Sequence, residues 1–266
     1  MRREASTTVD SHIQSYMRFA ASDGRDIEQV GPFLATFDRY SDNPYRNYAI
    51  PDDEAEPSSG DVTALISAYE YRRRTPRLEY LTSIAPTAES ALLIGGFMVE
   101  GRLPLMTCPL GSLRDLPMPP DVEFVSPVTD DDFLATATVQ QEAYGGPPLD
   151  QHDIDRLRAN VATGGIVVLA RNMVTGEPIG AGLCSVPRNG ITEIAAVGVR
   201  PAYRRRGVAS ALTVQLVRQS FDAGVTMPFL MAAHEAEERI YARVGFTKIS
   251  QILHASVPDV SFDNDR

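Results

Sequence analysis

The chain has 266 residues, 43% hydrophobic and 23% charged, with a formal net charge of −10. That length has room for two ordinary domains and the composition is that of a folded globular protein. The acidic balance excludes general nucleic-acid binding, which needs a basic face.

In chain order, residues 47–51 (N-Y-A-I-P) lead into D-D-E-A-E-P-S-S-G at 52–60, a loop that crowds together Asp52, Asp53, Glu54 and Glu56. A helix begins with A-L-I-S-A-Y-E at residue 64 and runs to Arg72-Arg73-Arg74, where cations suit the negative end of the dipole and a solvated helix end is expected. L-L-I-G-G-F closes this stretch at residue 97. Cys108 opens C-P-L-G-S-L-R-D-L-P-M-P-P-D, whose Pro109, Pro117, Pro119 and Pro120 break helix and strand alike, so residues 108–121 read as a linker. The expected layout is therefore a first domain at 1–107, the linker, a second domain at 122–258 and a tail at 259–266.

The second domain reads as a complete α/β unit. A short strand at 122–125 precedes a helix at 130–144, with Thr129 as its N-cap and Asp131 and Asp132 near its positive end. A second helix spans about 150–162. The continuous apolar run 166–170 suits a strand covered on both faces. A Gly- and Pro-containing turn at 172–178 leads to strands at 179–186 and 191–199, joined by Pro187-Arg188-Asn189-Gly190, where Asn-Gly signals a hairpin. A helix at 208–223, a strand at 229–232, a helix bearing Tyr241 and a last strand at 246–256 complete the order.

Between the strand at 191–199 and the helix at 208–223 lies R-P-A-Y-R-R-R-G-V-A-S. Free N–H groups of the loop and of the first helical turn, together with the helix dipole, make an anion cradle there. Arg204, Arg205 and Arg206 add charge, and Gly207 lets the backbone come close to a bulky anion such as a pyrophosphate. Neither a Walker A string nor G-x-G-x-x-G occurs. The loop resembles the acyl-CoA loop of the GNAT superfamily of N-acetyltransferases, [QR]-x-x-G-x-[GA], matched here by Arg204, Gly207 and Ala209. The flanking Val197-Gly198-Val199 and Ala211-Leu212 fit as well. Downstream, H-E-A-E-E-R-I-Y-A-R-V-G-F at 234–246 resembles the family's tyrosine helix and the Gly-Phe pair that follows it. Gly245 suits a left-handed helix end. By its spacing alone Tyr241 also fits a core aromatic beside Ile240 and Val244.

The resemblance implies a GNAT-type α/β mixed sheet flanked by helices, and an acyltransferase that moves an acetyl group from acetyl-CoA to the amine of a small molecule or peptide. Val197, Gly198, Val199, Arg204, Arg205, Arg206, Gly207, Val208, Ala209 and Ser210 would hold the co-substrate, and Tyr241 would protonate the leaving thiolate. Glu193 precedes V-G-V at the spacing of the catalytic glutamate in the histone-modifying branch. Two readings of it stand: proton acceptor, and outward-facing strand carboxylate. His234 stands where many members carry Asn, and Glu237 where they carry a small Ala. His234 reads either as a substitute polar contact to CoA or as a structural residue. Tyr144-Gly145-Gly146-Pro147-Pro148 is expected to shape the acceptor pocket.

Residues 64–97 and 211–246 begin and end alike, and 47–51 stands before the first as 197–201 stands before the second. This reads as an internal repeat, a tandem arrangement whose first copy is reduced. Its acidic loop would repel a pyrophosphate, and near Leu92 it has no tyrosine to match Tyr241, so one active site per chain is expected. A CoA-binding regulator without turnover is the alternative, and homo-oligomerisation through the first half stays open. Cys108 and Cys184 lie far apart and form no metal-type spacing, so no metal is expected and a reducing, cytoplasmic setting fits. No apolar run follows M-R-R-E-A-S-T-T-V-D and none reaches the length of a membrane span, so neither a signal peptide nor a membrane partner is expected.

Overall fold

The computed structural model describes residues 2–145 and 148–258. The chain divides into two compact units, Met1–Leu103 with Ser250–Arg266, and Pro104–Ile249. No helix among the described residues is long and apolar enough to cross a membrane.

The first unit opens with α1 (Arg2–Ser22) and the hairpin β1 (Asp26–Val30) and β2 (Phe33–Phe37), none of which the sequence reading foresaw. Then come β3 (Ala49–Pro51), α2 (Ser59–Tyr71), β4 (Arg77–Leu81), α3 (Ala88–Ile94) and the start of β5 (Met98–Thr107). Pairing is antiparallel from β1 to β2 and from β2 to β3, then parallel from β3 to β4 at Ala49 and Leu78. Arg72 and Arg74 correct the expectation of a solvated helix end. Arg72 pairs with Glu28 at 2.8 Å and lies 4.2 Å from the Phe37 ring centroid, while Arg74 donates to Asn47 Oδ1 at 3.3 Å. A turn with Arg73 at φ +55° brings the arginines back onto the strands, so they brace the sheet.

The second unit is a meander of β6 (Val122–Val125), β7 (Ile166–Asn172), β8 (Pro178–Cys184) and β9 (Ile191–Val199), followed by β10 (Met227–Met231), which runs parallel to β9. Its helices are α4 (Asp130–Tyr144), α5 (Gln151–Ala162), α6 (Val208–Asp222) and α7 (Glu235–Val244). Thr129 with Asp132, and Asp150 with Asp153, form capping boxes that start α4 and α5. Backbone N–H groups of Thr129 and Val128 hold the Asp132 carboxyl down at about 2. One sheet face packs Val168, Ala170, Ile179 and Ile194 against Leu212 and Leu216 of α6. The other packs Val167 and Leu183 against Phe133 of α4 and Leu157 of α5. This double cover is why β7 is apolar without alternation. The hairpin is made by Asn189 and Gly190 at φ +51° and +76°, the twist that Asn-Gly supplies. Residues 108–121 form no helix or strand, yet Leu110 and Arg114 donate backbone bonds to Thr226 and Val244 at 2.9 and 2.8 Å.

The two halves of the sequence repeat one succession: three antiparallel strands, a helix, a strand in parallel, a helix and a final strand. The final strands are exchanged. In the first unit Ile252–Ser256 of β11 (Thr247–Ser256) pairs antiparallel with β4, and in the second unit Leu105–Thr107 of β5 pairs antiparallel with β10.

Candidate active site

The second unit's site begins where β9 and β10 part. Their parallel register runs from Ile191 and Met227 to Glu193 and Phe229, whereas β9 continues to Val199 and β10 to Met231. Beyond Glu193 the strand bulges: Ala181 faces Gly198 and Leu183 faces Ala195, so two steps on β8 span three on β9. Ala196 carries the extra residue at φ +52°, a left-handed conformation that costs roughly 1–2 kcal/mol for an L-residue.

Packing on α4 holds the bulge. Gln140 Nε2 donates to the Ala196 carbonyl at 3.3 Å, and the Tyr144 hydroxyl donates to that of Val197 at 3.0 Å. Gly198 lies so close to α4 that a Cβ there would stand 2.7 Å from that of Ala143. Sequence reasoning missed Gln140 altogether and took Tyr144 for a loop aromatic. The available signal was a polar pair, Gln140 and Tyr144, at i and i+4 on one helix face. Gly146 and Pro147 of the expected acceptor loop lie outside the described residues.

After Val199 the chain turns through Pro201–Tyr203, braced by Arg200, which pairs with Glu142 and Glu177 at 2.8 and 3.1 Å, and by the Tyr203 hydroxyl on Glu177 at 2.6 Å. The three loop arginines do different things. Arg204, exposed like its two neighbours, donates from Nε to the Val199 carbonyl at 3.0 Å and from Nη2 to that of Ala143 at 3.3 Å. Arg205, at φ +63°, and Arg206, whose guanidinium lies 5.4 Å from the Tyr203 ring centroid, are exposed. Gly207, at φ +81°, is the N-cap of α6 and no side chain caps that end. The first-turn N–H groups of Val208, Ala209 and Ser210 have no carbonyl within the helix to bond. Val208 itself points into the core, while Ala209 and Ser210 are half-buried.

The matching place in the first unit is filled by its own chain. Ser58 and Asp61 form a capping box on α2, whose hydrogen bonds lower the Asp61 pKa. Arg18 of α1 binds Asp53 at 2.7 Å and the Pro51 carbonyl at 2.5 Å, and Gln29 binds Asp52 at 3.1 Å. Of two corresponding helix starts, one holds its own carboxylate and the other is uncapped.

Glu193 is half-buried on β9. It lies two residues from Ala195, which packs with Phe133, Leu157 and Leu183, so both residues face the α4–α5 side of the sheet. Tyr241 is buried on α7 with its ring edge-on to Phe246 at 6.1 Å between centroids. Burial, then the charge of Glu237 one turn earlier, then Tyr144 push its phenol well above the usual range. Glu237 accepts the Ala233 N–H at 2.8 Å. His234 is the N-cap residue of α7 and 66% exposed, 3.9 Å from Glu237. Gly245 ends α7 at φ +123°, outside the compact left-handed region that a helix-ending glycine suggests. A Cβ there would stand 2.2 Å from the Ser112 carbonyl oxygen, so glycine is required sterically as well.

Residues 132–246 match the model of the acetyltransferase (GNAT) family. No curated protein sequence matches the chain. Among solved structures it is similar to a GCN5-related N-acetyltransferase from Kribbella flavida, at 20% identity and a TM-score of 0.78 over 94% of this chain and 96% of that one. A GCN5-related N-acetyltransferase from Sphaerobacter thermophilus is similar at 18% identity, with a TM-score of 0.66 over 85% and 77% of the two chains. A tandem GNAT protein from the clavulanic acid biosynthesis pathway matches at 12% identity, with a TM-score of 0.59 over 89% and 85%. At these identities the likeness is one of fold, and it extends over both halves of the sequence.

Proposed function

From the premise that residues 132–246 are a GNAT acetyltransferase domain, we propose that this chain moves an acetyl group from acetyl-CoA to a primary amine of a small molecule or peptide. The observation that carries the reading is the pairing of an uncapped α6 start with a seam between β9 and β10 that opens past Glu193. The pyrophosphate lies on the loop from Arg205 to Ser210, met by backbone N–H groups and by the Arg205 and Arg206 guanidiniums. Arg204 contributes by fixing the loop's backbone rather than by its charge. The pantetheine arm enters the open seam along Val197, Gly198 and Val199.

The amine arrives protonated and must lose a proton before it attacks. Glu193, at the mouth of the seam, takes that proton. The free amine attacks the thioester carbon, the oxygen gains charge, and bulge N–H groups stabilise it. The C–S bond then breaks as the C–N bond is kept, and the nitrogen releases its second proton to solvent. Tyr241 donates to the departing sulfur. Its raised pKa keeps the proton in place throughout the neutral range, but makes it a weak acid that acts late, once the sulfur carries charge. Holding amine and thioester together supplies most of the acceleration. In this reading 122–258 is the catalytic half, and 1–107, with its self-filled helix start, binds no CoA.

The test is release of free CoA thiol from acetyl-CoA across an amine panel, with calorimetry of CoA binding. Turnover that Glu193→Gln and Tyr241→Phe each depress is expected. CoA binding without turnover would replace this reading with a binding protein, and absence of both would end it.

A further inference from the structure

The bulge at Ala196 is strained and needs partners to persist. Its carbonyls at Ala196 and Val197 are both taken by side chains of one helix face, Gln140 at 3.3 Å and Tyr144 at 3.0 Å. The next free carbonyl, that of Val199, is taken by Arg204 at 3.0 Å, which also grips the same helix at Ala143. A trans peptide sets each carbonyl opposite the following N–H. With the Ala196 carbonyl turned toward α4, the N–H of Val197 points away from α4, whereas that of Gly198 faces Ala181 in the β8–β9 ladder. A flip of the Ala196–Val197 peptide would withdraw that N–H and offer a carbonyl in its place, a repulsive partner for a developing oxyanion. Gly198 adds a steric limit, since nothing larger fits against Ala143.

We propose that Gln140 and Tyr144 are positioning residues which hold the carbonyls on either side of Val197, and so fix the Val197 N–H presented to the thioester oxygen. The inference rests on the acetyl-CoA reading above. Tyr144 is the better handle, because its ring can be kept while its hydroxyl is removed.

The experiment is infrared spectroscopy of carbonyl-labelled acetyl-CoA bound to the full chain, with steady-state kinetics and calorimetry. In Tyr144→Phe and Gln140→Leu the bound carbonyl band moves back toward its position in water. In both, kcat falls roughly tenfold or more while the acetyl-CoA Kd stays within about twofold. A plain structural role would lower stability or affinity without moving the band. An unmoved band with kcat within twofold in Tyr144→Phe overturns the inference and leaves the acetyl-CoA reading standing, whatever the buried Gln140→Leu does to folding. Failure of the unaltered protein to bind acetyl-CoA overturns both.

Discussion

Gly198→Ala puts the closest packing of the site to a direct test. The new methyl would meet the Ala143 Cβ at 2.7 Å. Ordinary contact between such carbons is about 3.5–4.0 Å, so β9 or α4 must give by about 1 Å. Both are tied by the Gln140, Tyr144 and Arg204 hydrogen bonds, so the shift falls on the bulge itself. Overpacking of this size costs about 1–3 kcal/mol, a melting shift of about 2–4 °C per kcal/mol. A displacement of about 1 Å at the reacting carbonyl lowers kcat by roughly a hundredfold. The partner substitution Ala143→Gly vacates the contested space at about 1 kcal/mol of helix propensity. The double variant should regain most of the lost stability and activity, a coupling of about 1 kcal/mol or more. Thermal melts and thiol-release kinetics on the four proteins decide the matter. Gly198→Ala with an unchanged melt and full activity would falsify the packing argument, and so would a double variant no better than the single.

Arg205→Ala and Arg206→Ala should each weaken CoA binding about fivefold at low ionic strength, the worth of roughly 1 kcal/mol for an exposed charge, with the loss fading in added salt. Arg204→Ala should instead lower the melting temperature, because it frees the Val199 and Ala143 carbonyls; calorimetry and melts separate the two patterns. Tyr241→Phe should reduce kcat roughly a hundredfold with acetyl-CoA affinity unchanged; a matching loss of affinity would mark the residue as structural. In the first unit, His254 lies buried with Nδ1 2.9 Å from Arg77 Nη2, and Glu79 and Glu100 also pair with Arg77. Burial lowers the His254 pKa, so the unfolded chain binds more protons and stability drains away as pH falls below about 6.5. Urea midpoints between pH 8 and 5 should show that slope and lose part of it in His254→Gln; an identical slope in the variant would refute the assignment.

Local chemistry was legible in the residues themselves. The capping pairs Thr129 with Asp132 and Asp150 with Asp153, the Asn189-Gly190 turn, and the glycine before Val208 each act within about one turn of chain, so a short string is enough to specify them. The family likeness of the arginine loop and of Tyr241-Gly245-Phe246 was likewise a matter of near spacing. What the string could not carry was the choice among distant partners. The order of elements marks 246–256 as a strand, but which sheet edge it joins depends on residues far along the chain, and the final strands of the two halves crossed over. Arg204 reads as a charge for a phosphate until the fold places two carbonyls within its reach. Gln140 and Tyr144 look unremarkable until a bulge more than fifty residues away turns its carbonyls toward them. A short sequence specifies backbone conformation through bonds to near neighbours, whereas the spare hydrogen bonds of a side chain are assigned only when packing brings remote backbone beside it.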